Sequence, residues 1–138
     1  MAADLGERLT KMSDSLARIE ARAPEAKAAL HENLKTRLDE MLANVGIDPQ
    51  RLAQEAALLV DRSDVTEEMV RLRSHFEQFG KVLTDGGEIS KKLGFLLQEI
   101  LRETNTIGSK TQSLDLTQEV LSVKEELEKV REQIQNLE

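Results

Sequence analysis

Seven apolar residues near the end of the chain, Leu116, Val120, Val123, Leu127, Val130, Ile134 and Leu137, follow one another at alternating spacings of four and three. That spacing draws one continuous seam along a helix, and a helix with such a seam has to bury it against another helix. The remaining composition points the same way: with three Phe and no Tyr or Trp, the core is built from Leu, Val, Ile, Met and Ala. Such residues suit helix-on-helix packing better than a β-sandwich. The expected fold is all-α, with long amphipathic helices in antiparallel hairpins forming a helical bundle or coiled-coil-like domain.

Helix-breaking residues divide the 138 residues into six helical stretches. The stripe Leu5, Leu9, Met12, Leu16 and Ile19 ends near Ala23-Pro24, where a first helix is expected to stop. Pro24 then opens a second helix with the stripe Leu30, Leu34, Leu38, Met41 and Val45, stopped by Gly46, and these two helices should form a hairpin. Asp48-Pro49 restarts a shorter helix through Leu52, Ala56 and Leu59, which breaks around Asp61 to Ser63. Asp64 and Glu67 form a candidate capping pair for a fourth helix, whose stripe Met69, Leu72, Phe76, Phe79 and Leu83 runs to Asp85-Gly86-Gly87. A fifth helix carries Ile89, Leu93, Leu96 and Ile100 and is expected to fade from Thr104 to Gly108 into a polar loop over residues 109–113. The heptad helix comes last. By this reading residues 1–62 are a helical hairpin and connecting helix, and 63–138 a second helical unit.

Several function classes fall away at this stage. The chain has no Cys, so a disulfide frame and a thiolate metal site are both excluded, which fits a reducing cytoplasm. Its longest apolar runs, such as Ala56 to Val60, are five residues long, so neither a secretory leader nor a membrane span is indicated. A net charge of -7 repels a polyanion over most of the surface, and any nucleic-acid site must be local. Of stacking side chains only Phe76, Phe79 and Phe95 exist, and all three are expected in or beside core stripes.

Three segments carry polar residues that helix stability does not require. In Asp64-Val65-Thr66-Glu67-Glu68-Met69-Val70-Arg71-Leu72-Arg73-Ser74-His75, Glu68 and His75 project within about 20° of each other, with Arg71 just beyond. A carboxylate and an imidazole on one helix edge can bind a divalent cation or act as acid and base beside a phosphodiester. The alternative is a surface Glu and His with Arg71 as ion-pair partner. In the segment from Lys91 to Lys110, Glu99 and Glu103 share a face, and Glu103 projects almost into the apolar stripe. A carboxylate there needs neutralising by Arg102, by Lys92, by another helix or by a metal ion such as Mg²⁺ or Mn²⁺. In the last segment Lys124, Glu128, Arg131 and Gln135 line one flank of the seam, placed to answer Glu99 and Glu103 or to form an interhelical ion-pair ladder.

The three segments resemble motifs of the C-terminal helical domain of the YicC family of bacterial endoribonucleases. The first is similar to an Asp-Val-x-Glu-Glu…Arg-Leu-x-Ser-His signature, and the second to a Gly-Arg-Lys-Leu-Asp-Phe-x-x-Gln-Glu-x-x-Arg-Glu-x-Asn-Thr-x-x-Ser-Lys pattern. The third looks like a closing Lys-x-x-x-Glu-x-x-Arg-Glu-Gln-x-Gln-Asn-x-Glu. Gly94 stands where the pattern has Asp, and Leu101 where Asn is frequent. Gly94 is expected to mark a close helix approach. The likeness is strong from Ser63 to Glu138; over residues 1–62 it rests on position and helical character alone. Family members are about twice this long and open with a domain that has no trace here, so the resemblance implies a chain lacking that module.

The resemblance further implies a metal-dependent endoribonuclease acting in RNA turnover in the bacterial cytoplasm, assembled as a homo-oligomer, with RNA and RNA-decay proteins as partners. It casts Glu68, His75, Glu99 and Glu103 as catalytic and Mn²⁺- or Mg²⁺-binding groups, and Arg71, Lys92, Arg102, Lys110 and Arg131 as contacts to RNA. A second reading, from a different class, is a non-catalytic helical oligomerisation or adaptor module.

Overall fold

A computed structural model describes residues 2–44, 46 and 48–136, and Val45 and Leu137, the last members of two predicted stripes, lie outside the described residues. Five helices follow in order: α1 (Ala2–Asn44), α2 (Pro49–Arg62), α3 (Thr66–Asp85), α4 (Ile89–Lys110) and α5 (Leu114–Asn136). The first half of α1 packs with α3, α4 and α5 as a four-helix bundle in which α1 meets α3 and α5, and α4 meets both of those helices. Neighbours run antiparallel: Arg8 and Arg18 of α1 reach Glu126 and Glu119 of α5, while Glu20 of α1 reaches Arg73 of α3. The predicted stripes supply the core, with Leu5, Met12, Leu16 and Ile19 meeting Leu72, Phe76 and Phe79, Leu93 and Ile100, and Val123 and Val130. Among the described residues no helix is long and apolar enough to cross a membrane.

Pro24 does not end a helix. It lies inside the 43-residue α1, so the expected hairpin across it is absent. Proline forfeits one intrahelical bond to the carbonyl four residues back, but Ala21, Ala23, Ala26, Ala28 and Ala29 around it are the strongest helix formers. Both halves are also held by partners, the first by α3 and α5 and the second by α2. The hairpin in this region is instead formed by α2 returning along the second half of α1, where Leu34 and Leu38 face Ala53, Ala56 and Val60. Asp48 starts α2 as its sequence suggests, its side chain accepting from the Gln50 N–H at 3.1 Å.

The other difference lies in α4, which runs through Thr104 to Gly108 without fading. Its polar residues bond back into the helix: Thr104 Oγ1 donates to the Ile100 carbonyl and Thr106 Oγ1 to that of Arg102. Ile107 is fully buried, and a Cβ on Gly108 would stand 3.2 Å from the Val120 side chain, so the close approach expected at Gly94 occurs at Gly108. A Cβ on Gly94 would meet nothing within 4 Å. The α3–α4 turn forms where Gly86 and Gly87 predict it, both with left-handed φ values of 73° and 84°. Ser113 opens α5, its side chain accepting from the Leu116 N–H.

Two substitutions test this backbone. Pro24→Ala restores the missing bond inside a continuous helix and should raise stability by up to about 3 kcal/mol in urea unfolding. Gly94→Ala, with open space above it, should add about 1 kcal/mol. A loss of stability at Pro24 would mean that the proline opens a separate helix.

A buried charge cluster at the α3–α4 seam

Antiparallel pairing of α3 with α4 sets residue 71 opposite 103 and residue 68 near 110. Four charged side chains therefore meet on one seam. Glu68 is 3% exposed and Glu103 6%, so neither is the surface carboxylate of the simpler reading. Lys110 Nζ donates to Glu68 Oε1 at 2.8 Å, and Arg71 Nε donates to Glu103 Oε1 at 3.0 Å. The Arg71 guanidinium also lies 3.6 Å from Glu68 Oε1, bridging the two acids. The hydrogen bond from Arg71 to Glu103 holds the guanidinium pKa above its ordinary value.

Compensation of the acids is incomplete. Glu68 Oε2, Glu103 Oε2 and both nitrogens of His75 are buried without a hydrogen-bond partner. His75 is one turn beyond Arg71 on α3, and the same register sets Glu99 level with it on α4. Such buried orphan atoms are rare in folded proteins and mark positions where a ligand, ion or water completes the bonding.

The predicted site residues thus divide. Glu68, Arg71, Glu103 and Lys110 are brought together, with His75 and Glu99 a turn away. Lys92 stands in the first turn of α4 beside Gly87, roughly 16 Å of helix rise from Glu103. Arg102 points outward and enters no ion pair among the described residues. Arg131 pairs with Glu128 of its own helix, which raises the arginine pKa and lowers that of the glutamate. The α5 row therefore does not answer Glu99 and Glu103; of the expected ways to neutralise Glu103, it is another helix, α3, that supplies the cation.

A hydrated Mg²⁺ or Mn²⁺ needs one or two protein carboxylates and takes the rest of its shell from water and substrate phosphate. The unpartnered oxygens of Glu68 and Glu103 are of that kind. Among the described residues no three acidic or imidazole side chains form a ready-made cage.

Next to the cluster, Lys27 of α1 donates to Asp64 Oδ2 at 2.7 Å, tying α1 to the start of α3. Asp64 also accepts from the Thr66 N–H at 2.8 Å, while Glu67 turns outward to Arg71, so the expected Asp64–Glu67 pairing is replaced by a turn onto Thr66. Lys27 and then Thr66 hold the Asp64 carboxyl well below the usual carboxylate range. The ion pairs from α1 to its neighbours escaped the sequence reading, among them Arg18 with the buried Glu119 and Arg8 with Glu126. The available signal was that both glutamates fall beside the α5 seam.

Two outcomes follow for stability. Arg71→Met leaves Glu103 buried with neither oxygen answered and should cost about 1–3 kcal/mol, whereas the double variant Arg71→Met with Glu103→Leu should recover most of it. The depressed pKa of Asp64 gives stability that is present above the unfolded value near 4 and lost as pH falls through it toward the folded value. Asp64→Asn should flatten that acid limb in pH-dependent urea unfolding; an unchanged limb would remove the Lys27 pairing as its source.

A family model described as "Endoribonuclease YicC-like, C-terminal" matches residues 19–138. The chain is 42% identical over 139 residues to a protein of Clostridioides difficile (strain 630) named "Probable endoribonuclease YicC", covering 100% of this chain and 47% of the relative. It is 37% identical over 132 residues to a protein of the same name from Haemophilus influenzae (strain ATCC 51907 / DSM 11121 / KW20 / Rd), covering 96% of this chain and 45% of the relative. The chain spans slightly less than half the length of these curated relatives. A helical bundle whose motif residues converge on one seam, matched over most of its length, belongs to the YicC-like C-terminal family.

Proposed function

We propose that the α3–α4 seam forms part of the RNA-cleaving site of an endoribonuclease, with RNA phosphodiesters as substrate and a divalent metal as cofactor. The observation that carries this reading is the burial of two carboxylates and an imidazole with unpartnered atoms beside two half-exposed cations. Packing gains nothing from such an arrangement, since apolar residues of similar size would stabilise the seam as well or better. The names of the relatives supply the chemistry that it serves.

Each side chain has a distinct task. Arg71 is 47% exposed, so its planar fork faces both the buried Glu103 and the solvent through which a phosphodiester arrives. Lys110 adds a second positive charge on the same side. His75 is the side chain assigned to move a proton to or from a reacting oxygen. The free oxygens of Glu68 and Glu103 would hold Mg²⁺ or Mn²⁺, which would supply stabilisation of the charge that develops on the phosphoryl oxygens. Lys92, Arg102 and Arg131 lie outside the cluster and are assigned to RNA beyond the scissile bond.

One feature supports a second role in assembly, as a homo-oligomerisation or adaptor surface for RNA-decay proteins in the cytoplasm. Met41 on α1 and Leu58 and Leu59 on α2 are 42–50% exposed on the hairpin beyond the bundle. Assembly and cleavage are compatible in one protein.

The test uses a protein of the relatives' full length carrying this chain as its C-terminal part. Glu68→Gln, Glu103→Gln and His75→Ala should each lower kcat on a labelled RNA by about a hundredfold with helicity unchanged. Mn²⁺ should raise the Tm of the parent and not of the double Gln variant. Cleavage at the parent rate by all three variants would leave the adaptor role alone standing.

A further inference from the structure

Phe95 is expected in or beside a core stripe, yet it is 66% exposed on α4. It belongs to a row. At about 100° per residue, Lys91, Phe95, Gln98, Arg102, Asn105 and Ser109 project within about 40° of one direction, and they extend over about 27 Å of helix. All six are exposed. None is a carboxylate, although the chain carries 26 Asp and Glu against 19 Lys and Arg. Lys91 and Arg102 enter no ion pair among the described residues, so their charges are free to meet an anion. The same residues fall in the motif segment of α4, and the packing uses none of them.

We propose that this outward row of α4 is a binding track for single-stranded RNA. Phe95 offers a face on which an unpaired base stacks, Lys91 and Arg102 reach backbone phosphates on either side of it, and Gln98 and Asn105 present amides to base edges. A duplex is excluded by the same features: its bases are not free to lie on a ring, and the surrounding negative charge opposes a broad polyanion. The choice of RNA over another polyanion rests on the cleavage reading above. Glu99 and Glu103 project about 80° and 120° from the track's direction, on the flank toward α3, so a strand on the track passes about a third of a helical turn from the charge cluster.

Binding is measured separately from cleavage, by fluorescence anisotropy with a labelled single-stranded oligoribonucleotide in EDTA. Phe95→Ala should weaken binding about tenfold, and Phe95→Tyr should restore it. The double variant Lys91→Gln with Arg102→Gln should weaken it further and reduce the slope of log affinity against log salt by about 1.4, the loss expected for two phosphate contacts on a single strand. Because the chain has no Trp, Phe95→Trp installs a lone reporter whose emission should be quenched by the single strand and not by a duplex of the same sequence. Parent affinity in the Ala and double Gln variants would overturn the track, and so would equal quenching by duplex. Emission that changes with protein concentration in the absence of RNA would overturn it in favour of a second copy of the chain on this face. Loss of cleavage without loss of binding in Glu103→Gln leaves the track standing; normal cleavage in the carboxylate variants defeats the catalytic reading alone.

Discussion

The seam between α3 and α4 depends on two cations standing where two carboxylates are buried. Lys110 answers one oxygen of Glu68 and Arg71 one oxygen of Glu103. Removing an acid carboxylate from water costs several kcal/mol unless it is paired, so the two helices can close at this register only with those partners in place. The cost is not fully offset, because each acid keeps one buried oxygen unanswered. A bundle selected for stability alone would have apolar residues there, and the uncompensated remainder is the observation on which the proposed site rests.

The rest of the molecule holds that register. Apolar stripes from α1, α3, α4 and α5 form one core, and ion pairs at its edges fix the order of the helices: Arg18 to Glu119 and Arg8 to Glu126 join α1 to α5, and Arg73 to Glu20 joins α3 to α1. Gly108 lets α4 close on α5 within contact of Val120, and the left-handed Gly86 and Gly87 let α3 turn straight into α4. The second half of α1 with α2 stands apart from this core, touching the bundle mainly through the junction at Lys27 and Asp64.

Burial was legible wherever period and residue type agreed. The first stripe of α1 and the described members of the α3 and α5 stripes appear in or against the core as their spacing foretells, whereas Leu30, Leu34, Leu38 and Met41 of the second α1 stripe lie outside it. Asp48-Pro49 and Gly86-Gly87 act as local chemistry dictates. Local propensity misled where partners outweighed it. Pro24 and the stretch from Thr104 to Gly108 read as breaks, yet neighbouring helices hold both in place, and threonine hydroxyls close back onto the helix. The nearness of Glu68, His75 and Glu103 to apolar stripes was visible from helical angles. The identity of the partners was not, because an angle on one helix says nothing of the register between two; Arg71 and Lys110, rather than Arg131 or Lys92, follow only from the α3–α4 alignment. Phe95 shows the opposite failure, an aromatic placed in or beside a core stripe by its type although its angle on α4 points outward.

The chain's two histidines allow the central claim, that the seam is where the ligand arrives, to be tested within one sample. His75 lies one turn from the cluster on α3 and His31 is exposed on the second half of α1. Imidazole resonances followed by NMR during substoichiometric Mn²⁺ addition report how near the ion binds to each ring. The account predicts that His75 broadens first while His31 stays sharp. Equal broadening of both, or broadening of His31 alone, would contradict it.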